Sequence, residues 1–365
     1  MAQQRIRRFF PGGNTTVGFY SFFDYILPYE EANRIYCLKG GPGTGKSSIM
    51  RQIGEYFKQE GVDIEYHHCS SDPDSLDAVV IKAAKAAILD GTAPHVVDPK
   101  YPGAVDEIIN LGAFWEKEAL LKERESIAKL RHENSRLFQK AYRYLKALGQ
   151  LYEAYEKTAF LAFDREASLQ TAYELIVNLL GDYPVLKKQG KSRHLFAFGI
   201  TPKGIVQFRE DYLKGMRTAI CIHENEFVSS EAIMQRLKEA FLERGFDIIC
   251  LHSPFKPARI VEILCDELQL LISADTLFYR VEDKEAYTFT VDLTRLADPK
   301  RVEALKDEVD ADLKDVRHLL DRSVSYIRKA KENHHQLEQF YISALDFSKH
   351  EQLAQSLIQE IKTYL

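Results

Sequence analysis

The sequence predicts an α/β fold made of two duplicated units, each followed by a long helical arm. Three observations carry this expectation. A glycine-rich stretch, Gly40 to Ser47, lies between a β-branched and aromatic run, NRIYCLKG, and a helix-patterned run, SSIMRQIGEYFKQEG. Residues of the first half recur in the second at a nearly constant offset. Two charged, glycine-poor stretches, about 104–185 and about 297–365, close the halves with helical spacing. The expected division is therefore an active half over 1–190 and a degenerate repeat over 191–365, each ending in its own arm.

Gly40-Gly41-Pro42-Gly43-Thr44-Gly45-Lys46-Ser47 satisfies GxxxxGK[ST] at every fixed position, the signature of a P-loop NTPase-type unit. The strand before it and the helix after it, with Ile49, Met50, Ile53 and Phe57 in register and Gly61 as the stop, are the context that motif needs. Glycines let the backbone curl with its N–H groups pointing at a phosphate. The helix N-terminus adds partial positive charge. Lys46 is expected to reach the β- and γ-phosphates of ATP and Ser47 to ligate Mg²⁺; Ser48, the last residue of the candidate nucleotide segment, packs or caps.

At an offset of 184, residues 35–68 fall on 219–252 with nine identities, among them Cys37 on Cys221, Phe57 on Phe241 and His68 on His252. Upstream the offset is 186, where Gly13, Thr15 and Gly18 meet Gly199, Thr201 and Gly204. Downstream it is 182, where Tyr144, Glu156 and Asp164 meet Tyr326, Glu338 and Asp346. A repeat this long means two domains. The copies differ where chemistry belongs: Gly40, Gly43, Gly45, Lys46 and Ser47 face Glu224, Phe227, Ser229, Ser230 and Glu231. The second half is expected to keep the fold without binding NTP at this place.

After the first helix, VDIEYHHC reads as a strand and SSDPD as a turn-and-cap cluster opening a short helix. Asp72, Asp74 and Asp77 gather there, and Asp72 or Asp74 is the candidate to orient a nucleophile; the bland alternative is a capping role. AAILD reads as a strand ending in Asp90, the candidate Mg²⁺-side acid, faced by Ala274 in the second half. His67 and His68 alternate to opposite strand faces, which argues against one shared metal with His95 and Cys69. The repeated GxTxxG of RFFPGGNTTVGFYSFFDYI suggests a scaffold loop leading into an amphipathic helix. In the first arm Leu130, Leu137, Tyr144 and Leu151 recur every seven residues, interrupted by Asn134, so the arms are expected to pack on each other and join the halves or to offer a platform for a protein partner. An arginine of the second half, Arg193 or Arg217, is a candidate finger completing the nucleotide site.

Bulk properties bound these readings. A formal net charge of −5 gives no general reason to expect a nucleic acid partner, and no apolar run is long enough for a membrane span. MAQQRIRRFF lacks the apolar segment of a secretory signal. Five cysteines without a CxxC pair suit a reducing cytoplasm.

GGNTTVGFYSFF, GGPGTGKS, HHCSSDPDSLD and ILDGTAPHVVDP together resemble a family of tandem P-loop proteins of Gram-positive bacteria, along nearly the whole chain. Members are described as ATPases or nucleotide-kinase-like. The resemblance implies a P-loop NTPase fold in both halves and ATP at Gly40–Ser47. This chain departs where members carry a second GxxxxGKS, having ENEFVSSE instead. The expected activity is Mg²⁺-dependent phosphoryl transfer, to water or a small acceptor, in the N-terminal half; the alternative is a nucleotide-gated interaction protein with little turnover.

Overall fold

The computed structural model describes residues 4–93 and 96–365; His95 lies outside them. The first half runs β1 (Ile6–Phe9), β2 (Gly12–Thr15), β3 (Gly18–Ser21), β4 (Arg34–Lys39), α1 (Lys46–Gln59), β5 (Ile64–His68), β6 (Leu76–Ile81), β7 (Ala86–Asp90) and β8 (Asp106–Asn110). Helices α2 (Lys117–Lys122), α3 (Arg124–Ala159) and α4 (Arg165–Leu180) follow. The second half runs β9 (Ser192–Phe196), β10 (Phe198–Thr201), β11 (Gly204–Gln207), α5 (Arg209–Leu213), β12 (Thr218–His223), α6 (Glu231–Glu243), β13 (Ile248–Ser253), β14 (Lys256–Cys265), β15 (Leu270–Asp275) and β16 (Phe289–Asp292). It ends in α7 (Pro299–Ser343) and α8 (Phe347–Lys362).

The strands form two six-stranded mixed sheets, ordered β1-β5-β6-β7-β4-β8 and β9-β13-β14-β15-β12-β16. Strand for strand this is one order used twice, as an internal duplication requires. In each sheet the third strand, β6 or β14, runs antiparallel to its neighbours and the rest pair in parallel. Both copies carry an irregularity at the same histidine, His68 or His252.

Two local expectations give way. LDAVVI after SSDPD is strand β6 rather than a short helix: all six residues are buried, and β-branched side chains on both faces fill a sheet interior. GxTxxG is a hairpin rather than a loop opening an amphipathic helix. Thr15 Oγ1 donates to the Gly18 carbonyl and accepts from the Val17 amide, and Thr201 does the same with Gly204 and Lys203. Gly18 and Gly204 take φ of 106° and 94°, which a side chain would strain. The repeated residues are turn chemistry, so the scaffold reading fits.

Contacts between equivalent residues mark a pseudo-twofold axis. Phe10 bridges its counterpart Phe196, and Tyr144 stacks on its counterpart Tyr326 with ring centroids 5.6 Å apart. The bridge of Trp115 to Leu345 has its mate in Phe163 with Ala297. The long helices α3 and α7 lie antiparallel, Asn333 Nδ2 donating to the Leu130 carbonyl at one end and Thr158 Oγ1 meeting Glu308 at the other. Asn134, the break in the apolar seam, sits opposite Asn333, at 3.4 Å.

The shorter helices are exchanged. Helix α8 packs Leu357, Ile358 and Ile361 on Ile49, Met50, Ile53 and Phe57 of α1, in the other half. Helix α4 packs Ala172, Leu175 and Leu180 on Ile233, Met234, Leu237 and Phe241 of α6. Each sheet's core is thus closed by a helix that its partner half supplies.

Candidate functional site

Strand β4 delivers the glycine loop at its C-terminal end, and α1 starts at Lys46 directly behind it. Gly43 and Gly45 take φ of 67° and 75°, so the curl needs both glycines. No side chain caps α1, and its first turn carries no acid, so its leading N–H groups are left as donors for an anion. Lys46 folds back over the loop: its ammonium donates to the carbonyls of Gly40 (2.9 Å) and Gly41 (3.0 Å) and lies 3.6 Å from the Asp90 carboxylate. Thr44 is buried, its hydroxyl donating to the Gly41 carbonyl.

Asp90 ends β7, the strand parallel and adjacent to β4, in register with Leu38. Its Oδ1 accepts from the Thr92 amide and hydroxyl, which leaves Oδ2 toward Lys46. Ser47 Oγ accepts from the Leu76 amide at 3.0 Å, tying the start of α1 to the start of β6. Lys46, Ser47 and Asp90 therefore meet at one edge of the sheet. A polyphosphate with a divalent cation matches this donor set: amides and ammonium for phosphate oxygens, hydroxyl and carboxylate for a hard cation.

The far half covers the loop at Gly43 and Gly45, and Trp115 of the loop's own half covers it at Gly41. A side chain at Gly43 would meet the Glu338 carbonyl oxygen at 2.8 Å, one at Gly45 the His350 ring at 2.4 Å, and one at Gly41 the Trp115 ring at 3.3 Å. Trp115 Nε1 and His350 Nε2 are buried with no hydrogen-bond partner among the described residues. Burial lowers the pKa of His334, on α7, against the pull of Glu338, and the Lys46 charge lowers it further.

The 70–75 turn joins this assembly. Asp72 accepts from the Ser75 hydroxyl at 2.8 Å and is ion-paired to Lys331 of α7 at 2.6 Å. Asp74 is paired to Lys203, in the β10–β11 turn, at 2.7 Å, and its carboxyl is held below its ordinary value by that lysine first. Asp77 is buried in β6 and faces away from solvent. So two of the three acids are clamped by lysines of the second half, and capping of a helix is not their role.

The second half fills its own loop. Glu224, at the Gly40 position, is buried and accepts from the Ser230 amide and hydroxyl, 2.7 and 2.5 Å, at the N-terminus of α6. Arg259 clamps the same carboxylate at 2.6 and 2.8 Å. An internal anion thus sits where the first half presents bare donors. Ala274 does hold the Asp90 position, yet Asp275 follows it, engaged with His223 at 2.7 Å and Lys284 at 3.3 Å.

No family model, curated protein or solved structure matches this chain.

Arg193 is committed elsewhere: its guanidinium forks onto Glu65 at 2.7 and 2.9 Å and donates to the Tyr25 and Ile26 carbonyls. Arg217 precedes β12, at the opposite end of that strand from the 224–231 loop. Neither stands at the glycine loop. His67 is buried beside Glu65, and among the described residues no group of three or more His, Cys, Asp or Glu is placed to hold a metal. The covering residues, Trp115, His334, Glu338 and His350, escaped sequence reasoning because they come from distant segments. One signal existed: Glu338 repeats Glu156, whose carboxylate lies 3.5 Å from Arg259, the partner of Glu224 in the other loop.

Proposed function

We propose that Gly40–Ser48 binds ATP with Mg²⁺ and that the first half transfers the terminal phosphoryl group to water or a small acceptor, the second half being a pseudo-domain without a nucleotide. The observation that supports this most is the convergence of uncapped α1 amides, the Lys46 ammonium and the Asp90 carboxylate on one loop. ATP would supply the phosphoryl group, and Mg²⁺ would neutralise its charge. Lys46 would exchange the Gly40 and Gly41 carbonyls for phosphate oxygens, and Ser47 with Asp90 would hold the metal's side. Asp72 or Asp74 could orient a nucleophile only after its lysine lets go.

Calorimetric titration with MgATP, alongside ATP consumption, tests this. Wild type is expected to bind and Lys46→Ala to lose both binding and turnover; wild-type turnover in a folded Lys46→Ala protein defeats the reading.

A second reading, a nucleotide-gated interaction protein, is favoured by the covered loop. Phosphates entering beside Gly43 would press on α7 at Glu338 and change how the arms sit. Trp115, the single tryptophan, lies against Gly41 and is tilted against Tyr341, ring centroids 5.3 Å apart, and should report that movement. MgATP is expected to change its fluorescence in wild type and not in Lys46→Ala. An unchanged spectrum at saturating nucleotide argues for a rigid cover and against gating.

A further inference from the structure

A cleft of about 400 Å³ opens between the halves, lined by Arg8, Arg51, His68, Asp74, Lys203 and Phe208. Three cations meet there against two carboxylates. Arg51 lies one helical turn past Ser47 on α1, and its guanidinium donates to the Asp74 main-chain carbonyl at 2.5 Å. Lys203 reaches the Asp74 carboxylate at 2.7 Å, while Arg8 is paired with Asp211 and lies 4.6 Å from the Phe208 ring centroid. The excess charge is positive.

The wall of the cleft holds an unmet acceptor. His68 is 8% exposed, and its Nδ1 lies 2.8 Å from the Pro73 carbonyl oxygen, so Nδ1 carries the hydrogen. Burial lowers its pKa to about 4, which keeps the ring neutral. Nε2 is then a bare lone pair, and it has no partner among the described residues. A buried acceptor left without a donor is costly and rare.

The duplication supplies an internal comparison. At the pseudo-twofold mate of this cleft His194, Gln235 and Val17 stand where Arg8, Arg51 and Lys203 stand here, and His252 replaces His68. There Nε2, the nitrogen left unmet in His68, is met within the protein, His194 Nδ1 lying 2.8 Å from His252 Nε2, and it is Nδ1 of His252 that has no hydrogen-bond partner among the described residues. The cations and an unmet Nε2 occur together beside His68 and not beside His252.

We propose that this cleft binds a small organic anion that also bears a hydroxyl or amino group. Its phosphate or carboxylate would sit against Arg51 and Lys203, and its O–H or N–H would donate to His68 Nε2. The site does not need a nucleotide on the glycine loop, and the 70–75 turn, which carries Asp74, separates the two.

Titration calorimetry of the full chain with ribose 5-phosphate, gluconate and inorganic phosphate tests this, repeated in Arg51→Ala and Lys46→Ala. Arg51 is exposed on α1, so its replacement leaves packing intact. One organic probe is expected to bind roughly ten-fold or more tighter than inorganic phosphate, and Arg51→Ala to weaken it by a similar factor through loss of a charge-assisted hydrogen bond. Which probe binds tells phosphate from carboxylate. Lys46→Ala should leave that affinity unchanged. Three results overturn the proposal: no binding of either organic probe up to about 10 mM; equal affinity for inorganic phosphate; or affinity that survives Arg51→Ala but falls in Lys46→Ala, which would put the anion on the glycine loop.

Discussion

Glu224 and Gly40 hold the same place in two copies of one strand–loop–helix unit, and with Lys46 facing Ser230 that difference sets what fills each loop. At Gly40 the space is bounded by Thr44 and Leu111, and the lysine ammonium occupies the loop. At Glu224 a carboxylate has taken the Ser230 amide and hydroxyl and brought Arg259 with it. Both partners are nearly fully buried, and the further contacts of Arg259 are longer, 3.3 Å to the Tyr152 hydroxyl and 3.5 Å to Glu156. Removing one member of such a pair leaves a charge stranded, which costs about 3–5 kcal/mol. Glu224→Ala is therefore expected to lower unfolding free energy by that amount in urea titration. Glu226→Ala, whose residue is only half-buried and engaged through its main-chain carbonyl, should stay within about 0.5 kcal/mol. Equal losses in the two variants would show that Glu224 contributes no more than an ordinary surface acid.

Among the elements, α8 shows best how the arms act. Its apolar stripe completes the core under α1, so a change there is felt at the glycine loop of the other half. Leu357→Ala should cost about 2–5 kcal/mol, the range for a large-to-small core change, and should be read by urea titration with Trp115 fluorescence and circular dichroism together. A loss under 1 kcal/mol would mean that α8 only rests on α1. Much of this layer was legible. The strand before the loop, α1 with its stop near Gly61, AAILD and the seam of α3 all follow from local periodicity. What misled was local chemistry with two uses: SSDPD can cap a helix or brace a turn, and only the antiparallel pairing of β5 with β6 chooses. The exchange of α4 and α8 was not legible, because an amphipathic stripe states that it must be covered and not by which half. The cover over the glycine loop shares that origin.

For the whole molecule, acid should be the weak side. Arg193 of the second half forks onto Glu65 of the first, and Arg7 forks onto Asp266 in return, so the halves are joined by crossed ion pairs. Burial alone would raise the Glu65 carboxyl, yet the Arg193 and Lys82 charges overcome it and hold it well below its ordinary value. That pair stabilises the fold above the unfolded carboxyl pKa and is lost below it. The histidines act earlier. Burial lowers His67 and His68 to about 4 and His252 to about 3, against 6.5 in the unfolded chain. Between those values the unfolded state holds protons that the native state refuses, so stability must fall as pH drops below about 6.5. Each buried histidine contributes up to about 1.4 kcal/mol per pH unit to that slope. The urea midpoint is expected to fall steeply between pH 6.5 and 5, before carboxylates titrate, and as one transition because each core is closed by the other half's helix. A flat midpoint over that interval would mean that the imidazoles become protonated in the native state, and two separate transitions would mean that the exchanged helices do not couple the halves.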